Sequence, residues 1–555
     1  MTRPPFEVAD IIRVHGNSFV ERNRSWLTWF HLRILFAIEH CRTAALGGHL
    51  DRCRQCGFEA TSFNSCRSRH CPKCQINARN KWIAERGKEL LPVKYVHVVF
   101  TIPHELAWLA LQNKKIMGSC LSPGPHQRRF AAYIEGLANA AGHADRHTPL
   151  KNYCTGLLLP GDRKSVEPMA ARLAPDNVRR MHQSLHHLVA DAPWNDEEML
   201  AEIRRYVLPT MQKHGPVVAW IVDDTAFPKQ GKHSVGVARQ YCGELGKSDN
   251  CQAAVSLSVS TWNSSLPIAW RLYLPEVWCQ DAERCRKAGV PEEVRFQTKP
   301  EIALEQIRQA RKQKVPVGVV LADAGYGKGT EFRTALTEIG LQYVVGIESN
   351  ATVWKPGQQP LPAPQRKPGR GAPPKRLQRS ADHQPTSVKQ LALGLPSSAW
   401  KDIGWRPGTE GTLRSRFAAV RVRPAHRDYK RTEPYPEEWL LMEWPKKESE
   451  PTKYWLSTLP EKMSLKSLVK IAKHRWTIER DYEELKQELG LGHYEGRSWR
   501  GFHHHATLCI AAYGFLMAER NRFSPSARVG HVGLSAPEPP PDFRPRGSPG
   551  SPRTA

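Results

Sequence analysis

The pattern of apolar and polar residues changes along the chain from a helical to a strand-like period. Between residues 128 and 208, apolar side chains recur at helical spacing, with prolines marking the turns. From Val217 onward, continuous apolar runs typical of buried strands appear, and after residue 300 these runs alternate with helical segments. A strand meander followed by alternating helices and strands predicts an α/β fold with a mixed sheet covered by helices.

Changes in composition divide the chain into four predicted segments. A Gly/Ser/Pro-rich stretch at 118–125 separates a Cys-rich front module from the remainder, and a basic Pro/Gly-rich stretch interrupts the later strands. The predicted segments are a Cys-rich front module at 1–117, a helical domain at 118–208, an α/β domain at 209–522 with a mainly β insertion at about 349–459, and a disordered basic tail at 523–555.

Charge and composition restrict the class of partner. With 81 Lys and Arg against 54 Asp and Glu, the 555 residues carry a formal net charge of +27, which favours a polyanionic partner. The 40% hydrophobic content excludes a collagen-like or wholly disordered chain. The longest apolar run, residues 506–518, is too short for a bilayer core of about 30 Å. The N-terminus has no apolar stretch of signal-peptide length. We therefore expect a cytoplasmic protein with no membrane partner.

Three carboxylates occupy positions that suit metal-dependent chemistry. Asp223 and Asp323 close apolar runs predicted to be buried strands, and Glu479 lies in a single long helix predicted from residue 465 to about 489. Carboxylates at the ends of neighbouring strands meet in one crevice, where Mg²⁺ binds a few carboxylates together with phosphate oxygens. Two such ions would serve phosphodiester cleavage. Taken singly, an Asp after a strand is more often a turn residue or a helix N-cap.

The late helix adds a cationic face to this cluster. Arg475, Glu479 and Lys486 are separated by four and seven residues, so they share one side of a helix. A solvated ion pair on a surface helix would show the same spacing.

The cysteines cluster near the front of the chain. Of 13 cysteines, two Cys-x2-Cys pairs lie 14 residues apart, a spacing typical of a tetrahedral structural zinc site. The alternative is a set of free thiols in a small core. The predicted zinc ligands are Cys53, Cys56, Cys71 and Cys74. A second site remains open, with Cys41, His49, Cys66 and His70 as its candidate ligands.

The later part of the chain, residues 122–547, resembles a known family. The runs Asp223-Asp-Thr-Ala-Phe-Pro-Lys229, Leu321-Ala-Asp-Ala-Gly-Tyr-Gly327 and His474-Arg-Trp-Thr-Ile-Glu-Arg480 are similar to those of DDE transposases of insertion-sequence family seven hundred and one. That group is related to the family-four transposases, whose helix signature is Tyr-x2-Arg-x3-Glu-x6-Lys.

This resemblance implies an RNase H-like catalytic core interrupted by a mainly β insertion. It places Asp223, Asp323 and Glu479 in the catalytic, Mg²⁺-binding triad, with Mn²⁺ as an alternative ion and Asp224 as the alternative first carboxylate. The Arg and Lys of the helix signature fall at Arg475 and Lys486 and imply contacts with DNA phosphates, whereas its Tyr falls at Ala472. Further candidate phosphate contacts are Lys229, Lys232 and Arg239, with surface solvation as the alternative.

The front module resembles a second family. The runs His49-Leu-Asp-Arg-Cys-Arg-Gln-Cys-Gly57 and Asn64-Ser-Cys-Arg-Ser-Arg-His-Cys-Pro-Lys-Cys-Gln75 are similar to the zinc-binding domain of rolling-circle transposases of insertion-sequence family ninety-one. The similarity ends near Asn113, before the paired histidines and nucleophilic tyrosine of that family's nuclease. The chain is therefore interpreted as a fusion of two mobile-element proteins.

The two resemblances imply a bacterial, nucleoid-associated insertion-sequence transposase with a zinc-binding module at 1–117, a helical DNA-binding domain at 118–208 and a catalytic domain at 209–522. It would bind the element's terminal inverted repeats and target DNA as a homodimer, and would cleave and transfer strands by a two-metal DDE mechanism. The alternative is a catalytically inactive fusion that acts only as a zinc-containing DNA-binding protein. A rolling-circle nuclease is disfavoured because its histidines and tyrosine are missing.

Overall fold

A computed structural model describes most of the chain. The described residues are 7–23, 27, 29–53, 56–66, 68, 71–74, 125–364, 375–408 and 411–523. The chain divides into two compact units, Met1–Ile116 and Met117–Ala555. The predicted boundary at residue 117, His70 and the predicted tail from residue 524 lie outside the described residues. Within those residues, no helix has the length and apolar character needed to cross a membrane.

The described part of the first unit contains two full helices and a hairpin. Its elements are α1 (Val8–Arg22), α2 (Trp29–Glu39), β1 (Gly48–Arg52) and β2 (Glu59–Phe63). Helix α1 begins with a capping box in which Glu7 and Asp10 satisfy each other's backbone amides. Its buried cluster contains Ile38, Cys41 and Cys71, with partly buried neighbours. So small an apolar cluster stabilises a fold weakly, and a metal would supply much of the missing free energy.

The second unit contains fourteen described α-helices. In chain order they are α3 (Pro125–Ala140), α4 (His147–Leu158), α5 (Val166–Leu173), α6 (Val178–Ala190), α7 (Asp196–Gln212), α8 (Glu276–Cys279), α9 (Ala282–Lys287), α10 (Lys299–Lys312), α11 (Ala324–Gly327), α12 (Thr330–Glu338), α13 (Val388–Leu393), α14 (Leu465–Lys473), α15 (Trp476–Glu483) and α16 (Trp499–Phe523). A π-helical turn, Glu484–Glu488, follows α15 directly.

Its strands form one mixed sheet of 12 strands in the described part of the unit. They are β3 (Ala219–Pro228), β4 (Ala238–Cys242), β5 (Lys247–Ser260), β6 (Ser265–Leu272), β7 (Val319–Ala322), β8 (Tyr343–Ile347), β9 (Thr352–Trp354), β10 (Thr386–Ser387), β11 (Lys401–Gly408), β12 (Gly411–Pro424), β13 (Glu438–Trp444) and β14 (Lys453–Ser457). The sheet order is β10-β9-β12-β13-β14-β8-β7-β3-β5-β4, with β6 also on β5 and β11 also on β12.

The sheet has a short parallel centre with antiparallel strands on both sides. Strands β3, β7 and β8 run parallel, with α11 and α12 between β7 and β8, whereas β3, β5 and β6 form an antiparallel meander. The insertion predicted at about 349–459 contains β9 to β14 and α13, and its strand β14 pairs antiparallel with β8. The mixed α/β fold class is thus confirmed.

The helical segment α3–α7 and the sheet share one hydrophobic core. Helix α16 is buried along most of its length. At Gly514 a Cβ atom would lie only 3.0 Å from the Ile203 side chain of α7, so the two helices approach closely. The Tyr133 hydroxyl of α3 also donates to the Ala511 carbonyl of α16 at 2.9 Å. The segment predicted as a separate helical domain therefore lies in the same compact unit as the sheet.

Two predicted elements differ from the observed ones. The strand expected to end at Asp223 continues to Pro228, because β5 is long enough to pair with every residue from Ala219 to Pro228. The single helix expected over 465–489 is divided at His474, whose carbonyl accepts hydrogen bonds from the backbone and hydroxyl of Thr477. These i to i+3 bonds tighten the chain locally and separate α14 from α15.

Candidate active site and metal cluster

Parallel pairing of β3 with β7 brings Asp223 and Asp323 to the same level of the sheet. The two strands pair at a constant offset, with Ile221 opposite Leu321 in the last registered pair. Asp223 and Asp323 each lie two residues beyond this pair, with the same offset. Side chains two residues apart on a strand point to the same face of the sheet. Since neighbouring strands lie about 4.8 Å apart, the two carboxylates are neighbours at the point where the strands separate.

Asp223 is held in a buried, electrostatically strained environment. Only 14% of its side chain is exposed. Burial raises the pKa of Asp223 to about 7, opposed by the Arg475 guanidinium and reinforced by the negative charges of Asp323 and Asp224. Such a perturbed carboxyl is typical of functional sites.

Asp323 begins the short helix α11. Its Oδ1 accepts the backbone N–H of Gly325 at 2.9 Å, as an N-cap residue does. The α11 turn packs directly on β8, because a Cβ at Gly346 would lie 2.8 Å from the Ala324 nitrogen and 3.0 Å from the Asp323 carbonyl carbon. Sequence reasoning missed Gly346, since only the fold reveals which backbone it approaches.

Glu479 lies on the outer face of α15, and two polar side chains fix the inner face. The Tyr482 hydroxyl and Ser256 Oγ are 2.8 Å apart, and Ser256 is the β5 residue paired with Asp223. The buried Asp481 carboxylate accepts hydrogen bonds from Ser265 and, at 2.8 Å, from Tyr513. These contacts join the helix that carries Glu479 to the strands beside Asp223.

Asp481 and Tyr482 were also missed by sequence reasoning. They share the buried side of α15 with Ile478, and Leu485 of the adjoining π turn is buried too. The sequence signal for these two residues is that they are polar on a helix side that is otherwise apolar. Buried polar groups require hydrogen-bond partners, so such residues indicate anchoring contacts.

Arg475 occupies the space between two members of the predicted triad. Its Nη1 donates to Asp223 Oδ2 at 2.7 Å, and its Nη2 donates to Glu479 Oε1 at 3.2 Å. Burial lowers the pKa of Arg475, but the charges of Asp223, Asp323 and Glu479 outweigh it, so the pKa is raised overall. The guanidinium therefore remains a cation.

Asp224 has different partners from its neighbour. It accepts Lys299 Nζ at 2.6 Å and the Tyr326 hydroxyl at 3.1 Å. Successive strand residues point to opposite faces of a sheet, which accounts for the division of roles. Asp224 is thus neutralised by a lysine of α10, while Asp223 lies beside Asp323.

The other predicted DNA-contact residues lie in varied environments. Lys486 Nζ donates to the Ala226 carbonyl at 2.7 Å and to Glu244 Oε2 at 2.6 Å. Lys229 Nζ donates to the Tyr494 carbonyl at 2.9 Å, and burial lowers the pKa of Lys229. Two further cations, Lys232 and Arg239, are exposed.

The compact metal-ligand group of the described chain is a four-cysteine cluster. Within the described residues, Cys41, Cys66, Cys71 and Cys74 alone bring three or more His, Cys, Asp or Glu ligand atoms within 4.8 Å of one another. Cys74 Sγ lies 3.4 Å from Cys41 Sγ and 3.6 Å from Cys66 Sγ. Burial raises the pKa of the Cys41 thiol. Four sulfurs at this separation suit tetrahedral zinc.

This grouping differs from the predicted ligand set. The "hairpin cysteines", Cys53 and Cys56, are exposed at the turn between β1 and β2. The two strands pair from Gly48 opposite Phe63 to Arg52 opposite Glu59. A strand of this length spans about 17 Å, which separates the turn from the cluster near the hairpin's other end.

The structure also divides the second predicted ligand group. Cys41 and Cys66 belong to the four-cysteine cluster, whereas His49 is exposed on β1 with Nε2 3.7 Å from Asp51 Oδ2. His70 lies outside the described residues.

Family models match both units of the chain. A model described as DDE superfamily endonuclease matches residues 136–412, and one described as transposase zinc-binding domain matches residues 11–102. The first match contains Asp223 and Asp323 and ends before Glu479. These matches confirm both resemblances seen in the sequence.

Two curated relatives are each similar to part of the chain. "Putative transposase y4qJ" of Sinorhizobium fredii is 50% identical over 117 residues, 21% of this chain and 29% of the relative. "Probable transposase for insertion sequence element IS701" of Microchaete diplosiphon is 32% identical over 189 residues, 34% of this chain and 45% of the relative. The chain thus spans less than half the length of each relative.

The mixed sheet with its paired aspartates, together with the family match, defines a DDE superfamily endonuclease domain. Ahead of it, residues 11–102 form a transposase zinc-binding domain, so the chain carries both domains.

Proposed function

We propose that the protein is an insertion-sequence transposase that cleaves and joins DNA strands at the site formed by Asp223, Asp323 and Glu479. The single observation that carries this proposal is the alignment of Asp223 with Asp323 on adjacent strands, with Glu479 linked to Asp223 through Arg475. Element ends would be nicked first, and the freed 3′-OH would then attack target DNA. Such enzymes act on both ends together, so we propose a homodimer on DNA.

The strand order supports an RNase H-like core. An antiparallel meander, β3-β5-β6, is followed by parallel strands β7 and β8 on the other side of β3. The first carboxylate then lies on the central strand, the second follows the adjacent parallel strand, and the third comes from a helix after the insertion. This arrangement is the one that the family resemblance implies.

The donor set suits divalent ions. Asp223, Asp323 and Glu479 supply only carboxylate oxygens, which Mg²⁺ and Mn²⁺ prefer, and a side-chain cation already lies between two of them. Bound ions would activate the attacking oxygen and stabilise the leaving oxygen. The protein's own part is to hold the three carboxylates through the sheet register, the α11 turn and the anchored helix α15.

The cations around the site would bind the phosphate backbone. Lys486 lies next to β3 through its bond to the Ala226 carbonyl, and Lys232 and Arg239 are exposed on the β3–β4 side. Phosphate contacts of this kind position DNA without reading its sequence. The four-cysteine cluster supplies four sulfur ligands, the full number for a tetrahedral structural site, so its zinc would be structural.

Asp323→Asn tests the proposal. The variant should lose about 10³-fold in Mg²⁺-dependent cleavage of an end-bearing duplex, since the charge stabilisation by metal amounts to several kcal/mol. DNA affinity, measured by gel shift without metal, should remain within about twofold, because Asp323 donates to no phosphate. Undiminished cleavage would remove Asp323 from the mechanism.

A specific observation favours one alternative, an inactive DNA-binding fusion. The three carboxylates are not among the groups whose ligand atoms lie within 4.8 Å in the described chain, and Arg475 separates two of them. Strand transfer by the purified full-length chain distinguishes the two functions. A chain that binds the element's ends but transfers no strand, with Mg²⁺ or Mn²⁺ present, would support the alternative.

A further inference from the structure

Arg475 is the cation that neutralises the centre of the carboxylate group. Its side chain is 26% exposed and contacts Asp223 and Glu479 at the same time. The neighbouring cations have other partners: Lys299 pairs with Asp224, and Lys486 pairs with Glu244. The pair formed by Asp223 and Glu479 therefore depends on Arg475 for its counter-charge.

Two cations cannot share these oxygens at close range. A divalent ion that binds Asp223 and Glu479 together competes with the Arg475 N–H groups, which occupy Asp223 Oδ2 and Glu479 Oε1, while Asp223 Oδ1 already accepts the Asp224 N–H at 3.0 Å. Since the guanidinium is a fixed positive charge, it also repels an ion that approaches the site.

We propose that Arg475 is an internal counter-cation, which divalent ions displace from Asp223 and Glu479 and which then becomes available to a phosphate of the bound DNA. The inference rests on the proposed function, because it requires that these carboxylates hold metal. A released guanidinium has a planar set of donors that suits phosphate oxygens. Metal and DNA would then favour each other's binding, and the coupling is reciprocal.

The first experiment measures metal binding without DNA. Free Mn²⁺ is counted by electron paramagnetic resonance in titrations of the full-length, zinc-loaded chain, at about pH 8.5 so that carboxyl protons do not compete. Arg475→Gln should bind Mn²⁺ about tenfold more tightly than wild type, a coupling of the usual allosteric size. Arg475→Lys, which keeps the charge, should remain close to wild type.

The matched control is Arg480→Gln on the same helix. Arg480 is exposed and pairs with Glu484 at 3.1 Å instead of with the triad. Its variant should bind Mn²⁺ as the wild type does. Thermal unfolding of all variants verifies that each chain is folded before its titration is interpreted.

The second experiment measures the coupling to DNA. Affinity for an element-end duplex is compared with and without Ca²⁺, which binds carboxylate oxygens. Adding Ca²⁺ should raise the DNA affinity of wild type and of Arg480→Gln about tenfold. For Arg475→Gln, this increase should be about threefold smaller than for wild type.

Asp223→Asn separates the possible failures. If Asp223→Asn removes Mn²⁺ binding while Arg475→Gln binds Mn²⁺ no more tightly than wild type, the counter-cation proposal is overturned and the proposed function survives. If Asp223→Asn retains full Mn²⁺ binding, the carboxylates hold no metal, and both proposals are overturned. Tighter binding by Arg475→Gln together with loss of binding in Asp223→Asn supports both.

Discussion

Asp223 and Asp224 are adjacent in sequence, and their environments predict opposite effects of the same substitution. Asp223 lies beside Asp323 and Arg475, whereas Asp224 is held by Lys299 and Tyr326. Replacing either aspartate by asparagine removes one negative charge at nearly constant volume. We expect Asp223→Asn to abolish catalysis and Asp224→Asn to lower stability while sparing catalysis.

The magnitudes follow from these contacts. Asn at position 223 removes a metal-binding charge, so cleavage should fall by about 10³-fold or more. Asn at position 224 loses the ion pair with Lys299, whose partners are 26% and 29% exposed. A partly exposed ion pair of this kind stabilises the fold by about 1 kcal/mol. The Tyr326 hydroxyl can still donate a hydrogen bond to the asparagine side-chain oxygen. Cleavage by this variant should stay within about fivefold of wild type, since that cost is spread over the whole fold.

The assay compares both variants with wild type on one end-labelled duplex with Mg²⁺, under single-turnover conditions. Urea unfolding of the same preparations gives the free energy of unfolding. Equal loss of cleavage in the two variants, with Asp224→Asn still folded, would refute the division of roles between the two faces of β3. Full activity of Asp223→Asn would refute the assignment of the first carboxylate.

Three other results are expected. Cys41→Ser combined with Cys66→Ser should lower bound zinc by about one equivalent, measured by mass spectrometry of the metal, whereas the same exchange at the hairpin cysteines should leave that equivalent in place. Mn²⁺ affinity should fall about tenfold per pH unit below about pH 7, because the raised pKa of Asp223 means that a proton must leave before the ion binds. An Mn²⁺ affinity that stays constant from about pH 5.5 to 8.5 would contradict this. Lys473→Met should cost about 3 kcal/mol in urea unfolding by leaving Glu443 buried and unpaired, and adding Glu443→Gln should recover part of the loss.

The sequence predicted the aspartates because their local pattern matches their position in the fold. Asp223 and Asp323 follow apolar runs, and the parallel register of those runs brings them together. The length of β3 could not be predicted, because it depends on the residues that β5 presents opposite it. Helical spacing placed Arg475 beside Glu479, but its bond to Asp223 arises only when α15 packs on the sheet.

The cysteine spacing predicted a zinc site, but the ligand set chosen from it shares only two cysteines with the observed cluster. Cys71 and Cys74 lie in the observed cluster, and their partners come from the end of α2 and the loop after β2. The pairing length of the β1–β2 hairpin decides which cysteines lie near these two residues. Spacing along the chain carries no information about that length, so several ligand sets were compatible with it.

The close contact between α7 and α16 limits how the endonuclease can be dissected. Gly514 lets the two helices touch, and Tyr133 from α3 closes the same apolar surface. A fragment that starts at the first sheet strand would expose this surface to water and aggregate, although it retained all three acidic residues. Functional truncations must therefore keep the helices from residue 125 onward, and the helical part cannot be exchanged independently of the sheet.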